Sequence, residues 1–475
     1  MELRVKEFLE GKDTLTLGPK VLELSITTAC DSSCLGCWCH SPLVKDFLPQ
    51  EEKEKFLPYP EVKRLLEELV GKGLEEIQLS GSGEPLLHPH LWEIVEIIKE
   101  KNLRCHLVTN FLSIRKEEVV SLIEKGVDTL TVSIWAGTPE TYVLLHPNRK
   151  EEDFVEISQK IRFLVEERER RGKIFPRVKI YHVLNHLNAE EVETMLDHAL
   201  EVGADMLEFK SVDVIRGKTD LLAFTPEDVE KIREGLKRIK ERVDFPYSVS
   251  YNPFEVPHLQ ILSDYQLRRE LADFGRFLKT SFLPPQFRIT YEKRDPYNPE
   301  PRQLNILCPM GKINHRSLLK EEPEQTFYFF YFREYCKECK KVEECFKEEE
   351  VKEIKLPFLS LMAIGRMERE LENYLSCGRY AQGIVDKIPC YAGWLYARIE
   401  ADGEVIPCCR GHRFPVGNIF KEEFFSIWNG EREREFRRRG RERKKEAPLF
   451  QLIGCREGCD NLGMNIGFHI EVEKG

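Results

Sequence analysis

The sequence predicts an α/β fold: a partial parallel (β/α)6-type barrel followed by a cysteine-rich α+β domain. Three observations carry this expectation. Six short β-branched runs alternate with amphipathic helical segments between Val21 and Lys210, chemistry-bearing motifs fall at the ends of the runs, and ten of the fifteen cysteines lie between Cys308 and Cys459. A chain of 475 residues holds two to four compact units at about 100–200 residues each. The expected division is an N-terminal extension over 1–20, the barrel over 21–212, a connector over 213–303 and the cysteine-rich domain over 304–475.

The expected strands are Val21 to Thr27, Glu76 to Ser80, Arg104 to Thr109, Thr129 to Ile134, Val178 to Leu184 and Met206 to Lys210. Between them, Pro60 to Gly71, His90 to Lys101, Glu152 to Glu169 and Ala189 to Val202 space their apolar residues three and four apart, as one buried helix face requires. Strands linked by helical crossovers pair in parallel, and such sheets bind ligands at the carboxyl ends of their strands. The connector is helix-patterned at first and then punctuated by Pro284, Pro285, Pro296, Pro299 and Pro301. The aromatic run Phe327 to Phe332 reads as a strand buried on both faces, with an aromatic wall for a substrate as the alternative.

Composition narrows the function classes. The net charge of −10, from 82 acidic and 72 basic side chains, gives no global attraction to nucleic acid or anionic lipid. The basic run Arg432 to Lys445 is interleaved with Glu and reads as a solvated helix, not an RNA patch. No stretch approaches the ~20 apolar residues of a membrane span, and Met1 to Lys12 carries charges of both signs, so a cytoplasmic location is expected. Fifteen thiols in a signal-free chain point to metal or redox chemistry, not a disulfide framework.

The first strand runs into Cys30-Asp-Ser-Ser-Cys34-Leu-Gly-Cys37, a C-x3-C-x2-C loop. Three thiolates there can hold three irons of a [4Fe–4S] cube and leave the fourth open, the alternative being a zinc knuckle. Cys39 is a spare thiol expected to pack. The second strand ends in Gly81-Ser82-Gly83-Glu84-Pro85, whose glycines let the backbone approach a ligand. His88 and His90 open the next helix, where capping or packing is expected over metal binding.

The cysteine loop after a first β-strand resembles that of the radical S-adenosylmethionine (radical SAM) superfamily. One departure is Gly36, where the family usually has an aromatic; here Trp38 follows the third cysteine. Gly81 to Pro85 looks like the family's Gly-Gly-Glu-Pro motif, which the resemblance implies contacts the amino group of SAM. Asn110 and Ser133 resemble strand-end positions that touch the SAM carboxylate or ribose, and Asn185 and Lys210 stand at comparable ends, each with a turn-forming or solvated reading alongside.

Farther on, Cys390 and Cys408, with seventeen residues between them, flank an expected β-hairpin turning at Asp402-Gly403. Cys455 and Cys459 can complete a four-thiol set, with a zinc staple as the alternative. This segment resembles the twitch half of a SPASM extension, which implies an auxiliary [4Fe–4S] cluster. Cys308, Cys336, Cys339 and Cys345 make a second candidate set, for a further cluster or a zinc or mononuclear-iron site. The resemblance implies reductive cleavage of SAM at the first cluster to a 5′-deoxyadenosyl radical that abstracts hydrogen from a substrate. It also implies an electron donor such as a ferredoxin or flavodoxin. With the cluster loop starting at Cys30, no leader-binding module of family size precedes it, so a small metabolite such as a sugar, nucleotide or lipid-linked compound is the favoured substrate. The alternatives are a maturase acting on peptide or protein side chains and, in another class, a non-catalytic zinc or iron scaffold.

Overall fold

Short apolar runs separated by amphipathic helices fold as the periodicity requires. The structure is a computed structural model and describes residues 3–44, 52–173, 175–242, 385–443 and 445–474, with the backbone of three short strands between 242 and 385. The chain forms two units: Met1–Leu236, Tyr251–His258 and Met362–Gly475 make the first, and Lys237–Ser250 with Leu259–Leu361 the second.

In the first unit, strands β1 (Val21–Ser25), β2 (Glu76–Ser80), β3 (Arg104–Thr109), β4 (Thr129–Ser133), β5 (Arg177–Leu184) and β6 (Met206–Ser211) pair in parallel in chain order, the α/β sheet of a partial barrel. Helices Tyr59–Leu69, Leu91–Glu100, Glu151–Arg170 and Val192–Glu201 form where the three- and four-residue spacing places them. In the second unit the described residues include 237–242, the end of the helix Pro226–Arg242, and strands β7 (Arg288–Tyr291) and β8 (Leu304–Leu307), an antiparallel pair. Strand β9 (Ser360–Met362) falls where the chain passes back to the first unit. The candidate ligands Cys308, Cys336, Cys339 and Cys345 and the Phe327 to Phe332 run lie outside the described residues, as does the Pro-punctuated stretch apart from the backbone of β7.

The hairpin between Cys390 and Cys408 forms, as β10 (Tyr396–Ile399) and β11 (Glu404–Ile406), and Gly403 takes the positive φ of +81° that its turn needs. Its first strand is shorter than the sequence reading, because Ala392–Leu395 wind into a helical turn. The hairpin is also no separate layer. Strand β10 pairs in parallel with β1, and β12 (Gly417–Asn418) follows, so nine strands of the first unit run β12-β11-β10-β1-β2-β3-β4-β5-β6. Helices Phe424–Trp428 and Glu431–Arg441 then clasp the N-terminal segment: Trp428 Nε1 donates to the Leu17 carbonyl at 2.9 Å and Asn429 Oδ1 accepts from Leu15 N at 2.8 Å.

Register sorts the side chains onto two faces. Leu22, Leu24, Ile77, Leu79, Leu107, Leu130, Val132, Val178, Ile180 and Leu207 share one face and are buried. The other carries Glu23, Ser25, Gln78, Ser80, His106, Thr131, Ser133, Lys179, Tyr181, Glu208, Lys210, Tyr396 and Arg398. A parallel sheet with one polar face has a ligand-facing side built along its whole width. No described helix is long and apolar enough to cross a membrane.

Two imidazoles on the apolar side are buried without charge partners. His182 has no hydrogen-bond partner on either nitrogen, and burial holds its pKa well below the usual 6.5. His198 Nε2 meets Ser158 Oγ at 2.8 Å, and burial lowers its pKa to about 4. Both bind a proton more readily unfolded than folded, so their contribution to stability is full above pH 6.5 and is lost as pH falls toward 4. For His198 alone the loss reaches about 3 kcal/mol. Urea titrations followed by circular dichroism between pH 8 and 4 should show this decline, and His182→Leu should make it shallower.

Candidate active site

Strand β1 delivers the chain directly into the first cysteine loop. Asp31 anchors the loop by accepting from Asn110 Nδ2 at 2.7 Å and Ser113 Oγ at 2.6 Å, and its carboxylate lies 3.1 Å from Arg149 Nη2. Asn148 clamps the same turn, accepting from Ser33 N and donating to the Asp31 carbonyl, both at 2.8 Å. Backbone amides already point at sulfur: Ser32 N to Cys30 Sγ at 3.5 Å, Cys39 N and His40 N to Cys37 Sγ at 3.4 and 3.3 Å. Burial pushes all three thiols up, Cys34 and Cys37 to about 11, and each of these two sulfurs raises Cys30 further. Burial opposes ionisation of these thiols, whereas the amides directed at the Cys30 and Cys37 sulfurs favour the thiolate that a metal would bind. The missing aromatic at Gly36 is supplied from elsewhere: a Cβ there would lie 2.9 Å from the Trp135 ring. Trp38 sits beneath the Arg410 guanidinium, 5.1 Å from ring centroid to Cζ.

Gly81 to Pro85 locks against this loop. Gly83 permits the approach, since a Cβ would stand 2.7 Å from the Thr27 carbonyl oxygen, and Glu84 N donates to the Ala29 carbonyl at 2.7 Å. The Glu84 carboxylate is buried and accepts from Thr109 Oγ1 at 2.6 Å, Asn110 N at 2.7 Å and Leu86 N at 3.0 Å, so it ties β2 to the end of β3. Burial nevertheless lifts its pKa to about 7. Ser82 Oγ donates to Glu400 Oε2 at 3.0 Å and accepts from Arg398 Nη2 at 3.1 Å. Arg398 in turn lies 2.6 Å from Glu400 Oε1 and 3.4 Å from Glu23 Oε1. Ser80 and the Tyr396 phenol both donate to Glu23.

This buried network was not foreseen from the sequence. Its signal was the alternation Tyr396-x-Arg398-x-Glu400, which puts three polar groups on one face of a strand otherwise read as a cysteine-bearing hairpin.

The other singled-out positions divide. Asn110 joins the cluster loop through Asp31, and Ser133 Oγ accepts the Trp135 indole N–H at 2.8 Å. Lys210 pairs with Asp460, next to Cys459. The Asn185 amide is committed within its own turn, accepting from Leu187 N at 2.9 Å and donating to the Val183 carbonyl at 3.0 Å. His88 is buried with Nε2 3.0 Å from the Leu57 carbonyl oxygen and its Nδ1 accepts from His90 N at 3.1 Å, while His90 stands at the N-cap position of its helix with no side-chain cap bond.

The distal thiols gather. Cys390, Cys408 and Cys455 pack around Ala392, Phe436, Phe450 and Ile453, and a left-handed Gly454 turns the chain to present Cys455. Burial raises the pKa of Cys390, Cys408, Cys455 and Cys459, and Cys390 and Cys455 each raise Cys408 and Cys459 further. The sequence reading gave no role to Cys409, the second half of a cysteine doublet. Its Sγ lies 3.0 Å from Asn461 Oδ1, making it a fifth thiol in this neighbourhood.

A model of the radical SAM superfamily matches residues 24–199, from β1 through the helix Val192–Glu201, and a model of the SPASM iron–sulfur cluster-binding domain matches residues 390–456. The chain belongs to the radical SAM superfamily. It is a radical SAM enzyme with a C-terminal SPASM domain; SAM and a [4Fe–4S] cluster are the cofactors of that family, SPASM domains bind auxiliary iron–sulfur clusters, and radical SAM enzymes need a reductant.

Among curated relatives, the chain is 32% identical over 132 residues to the GTP 3′,8-cyclase of Haemophilus ducreyi, covering 27% of this chain and 36% of that one. It is 21% identical over 318 residues to the tungsten-containing aldehyde ferredoxin oxidoreductase cofactor-modifying protein of Pyrococcus furiosus, covering 66% and 83%. It is similar in structure to Streptococcus suis SuiB bound to S-adenosylmethionine, with TM-score 0.46, 13% identity and coverage of 96% and 73%. Native anSMEcpe with bound AdoMet matches with TM-score 0.48, 13% identity and coverage of 96% and 94%.

Replacing Cys30, Cys34 and Cys37 together by Ala should remove about four irons and all reductive SAM cleavage from this radical SAM enzyme, while distal iron stays. Iron and sulfide analysis beside a 5′-deoxyadenosine assay checks both. In the distal set, Cys408→Ser should cost about four irons, whereas Cys409→Ser should leave the count unchanged.

Proposed function

We propose that this enzyme cleaves SAM reductively at Cys30, Cys34 and Cys37 and abstracts hydrogen from a peptide or protein side chain presented to the polar face of the sheet. The carrying observation is the contact between the cysteine loop and Gly81 to Pro85, where Glu84 N holds the Ala29 carbonyl and Gly83 lies flat against the loop. When bound, the cluster supplies the electron that splits SAM into methionine and a 5′-deoxyadenosyl radical. The chain's own residues bind and orient. The Gly81–Pro85 backbone and Asn110 would hold the SAM amino and carboxylate groups, as the family resemblance implies. Glu23 and Glu400 face one guanidinium, Arg398, leaving a formal excess negative charge beside a ligand that carries a sulfonium. Cys390, Cys408, Cys455 and Cys459 would hold one auxiliary cluster.

A peptide replaces the small metabolite favoured from sequence because of how the polar face is charged. Lys179 pairs with Glu208 at 2.7 Å, Lys210 with Asp460, and Arg398 with Glu400 and Glu23. Each of these cations already has its carboxylate, so none is left over for the phosphates of a nucleotide or lipid-linked substrate. The cyclases align only through about a third of their length, the part that handles SAM by the resemblance, so their nucleotide substrate does not transfer.

The Tyr396 phenol opens β10 opposite Val21, at the amino end of β1; burial and the adjacent Glu23 carboxylate raise its pKa well above 10, so it stays protonated and donates to Glu23. Tyr396→Phe, which removes that bond and keeps the ring, should lower stability by about 1 kcal/mol in urea titration and leave 5′-deoxyadenosine release within about twofold. Substrate class is tested by offering perdeuterated peptide digests and perdeuterated metabolite pools separately to the reduced holoenzyme. Deuterium should enter 5′-deoxyadenosine from the peptides, and transfer from metabolites alone would overturn the peptide reading.

A further inference from the structure

The basic run Arg432 to Lys445 reads from sequence as a solvated helix, yet two of its members, Arg437 and Lys445, are buried. Arg437 spends its burial on bonds, donating from Nε to the Gly393 carbonyl at 2.6 Å and from Nη1 to the Asp13 carbonyl at 2.8 Å. Lys445 does not. Past the helix Glu431–Arg441, Arg443 takes a positive φ of 58°, and the chain turns so that Lys445 is only 4% exposed. Its Nζ has no hydrogen-bond partner among the described residues and lies over the Phe450 ring, 4.9 Å from the centroid. The carboxylates of this region face other cations: Glu446 is held by Arg456, and Glu433 faces Arg437 at 3.8 Å. An ammonium taken out of water with no anion beside it is strongly unfavourable, so the position calls for one.

Phe450 places that charge against the distal thiols. Its ring belongs to the apolar cluster in which Cys390, Cys408 and Cys455 pack, and the Lys445 charge acts on Cys390, Cys455 and Cys459 against the burial that raises their thiols. The same sulfurs collect neutral donors: the Ala392 N–H reaches Cys390, the Arg410 N–H reaches Cys408, and Asn465 Nδ2 stands 3.9 Å from Cys459 Sγ. Asn465 is oriented for this by accepting from Tyr391 N at 2.6 Å. Arg410, another cation acting on Cys455, is paired with Asp213, so the ammonium of Lys445 is the one left without a carboxylate beside this set among the described residues.

We infer that Lys445 is the counter-charge of an auxiliary iron–sulfur cluster held by Cys390, Cys408, Cys455 and Cys459, and that it keeps the reduction potential of that cluster up. A [4Fe–4S] cube on four thiolates is a dianion when oxidised and a trianion once one electron is added, so a fixed cation beside it favours the reduced state. Net charge and donors to the sulfurs are among the levers that set such potentials. Lys445 is therefore a positioning residue, acting through the cluster and not on the substrate. The inference rests on the four-thiol assignment and is independent of the peptide reading.

Potentiometric titration of the reconstituted holoenzyme, followed by electron paramagnetic resonance, tests it, the couple that Cys408→Ser abolishes being the distal one. Lys445→Met keeps a side chain over Phe450 and removes the charge. It should shift the equilibrium of that couple about tenfold against reduction, a fall of about 59 mV for one electron, while the other couples stay in place and iron is retained. Lys445→Arg, which keeps the charge, should leave the potential near that of the parent enzyme. Iron analysis and thermal unfolding confirm that each variant is loaded and folded, and Lys445→Gln repeats the measurement should the Met variant lose iron. An unmoved distal potential in the iron-loaded neutral variants, or an equal fall in Lys445→Arg, would overturn the inference and leave the thiol assignment standing. Loss of no couple in Cys408→Ser, or zinc in place of the distal iron, would overturn both.

Discussion

Parallel pairing of β10 with β1, Glu23 opposite Arg398 and Leu22 opposite Ala397, is the constraint on which the rest of the site depends. Sheet pairing has a period of two, so a slip of one residue would turn Arg398 and Tyr396 to the apolar side and bring Ala397 and Ile399 to the ligand side. In the observed register Tyr396, Arg398 and Glu400 meet Glu23, Ser80 and Ser82, the last inside the loop that holds SAM by the family resemblance. The SPASM hairpin is therefore the next strand of the barrel sheet, and the two cysteine-bearing segments share one hydrogen-bonded framework.

Burying Glu23, Arg398 and Glu400 together is expensive in desolvation and gains stability only if every group is well paired. Such networks more often define one arrangement than add net stability. Here the arrangement defined is that of Ser82, whose hydroxyl both donates to Glu400 and accepts from Arg398 while its carbonyl oxygen lies 3.0 Å from His40 Nε2. Gly81 and Gly83 make the loop able to lie flat; the network keeps it there. Flexibility in sequence becomes rigidity in structure because Ser25 of β1 and the backbone of Thr27 to Ala29 after it fill the space that side chains would have taken.

Local signals were the legible part. Six strands and four helices follow from spacing alone, and the first cysteine loop and Gly81 to Pro85 fall at strand ends as the parallel-sheet rule requires. Turn chemistry also read through, in Asp402-Gly403 and in the packing of His88, whose Nδ1 accepts from His90 N at the helix start. What did not read were contacts between residues far apart in the chain: Glu23 with Arg398, Gly36 with Trp135, and Ser82 with Glu400. A single sequence shows that Gly36 lacks an aromatic but not that Trp135, turned by a positive φ of 64°, fills the gap. Cys409 was visible as a doublet, yet only packing shows its thiol directed to Asn461.

The two thiol sets are held by different forces. Around Cys30, Cys34 and Cys37 the loop is fixed by polar clamps from the barrel, Asp31 to Asn110 and Ser113, and Asn148 to Ser33, so its shape precedes the metal and an open iron can be aimed. Cys390, Cys408 and Cys455 instead sit among Phe436, Phe450 and Ile453, where buried thiols have little to hold them apart except the metal itself. A cluster bound there would contribute to folding, since binding it would also fix a core. Arg410 joins the two regimes: it lies over Trp38 beside the first loop, pairs with Asp213 just past β6, and stands 3.7 Å from Glu457 between the last two cysteines. Its charge opposes the burial that raises the Cys455 thiol while its guanidinium covers the Trp38 ring, so one side chain contacts both cysteine-bearing regions.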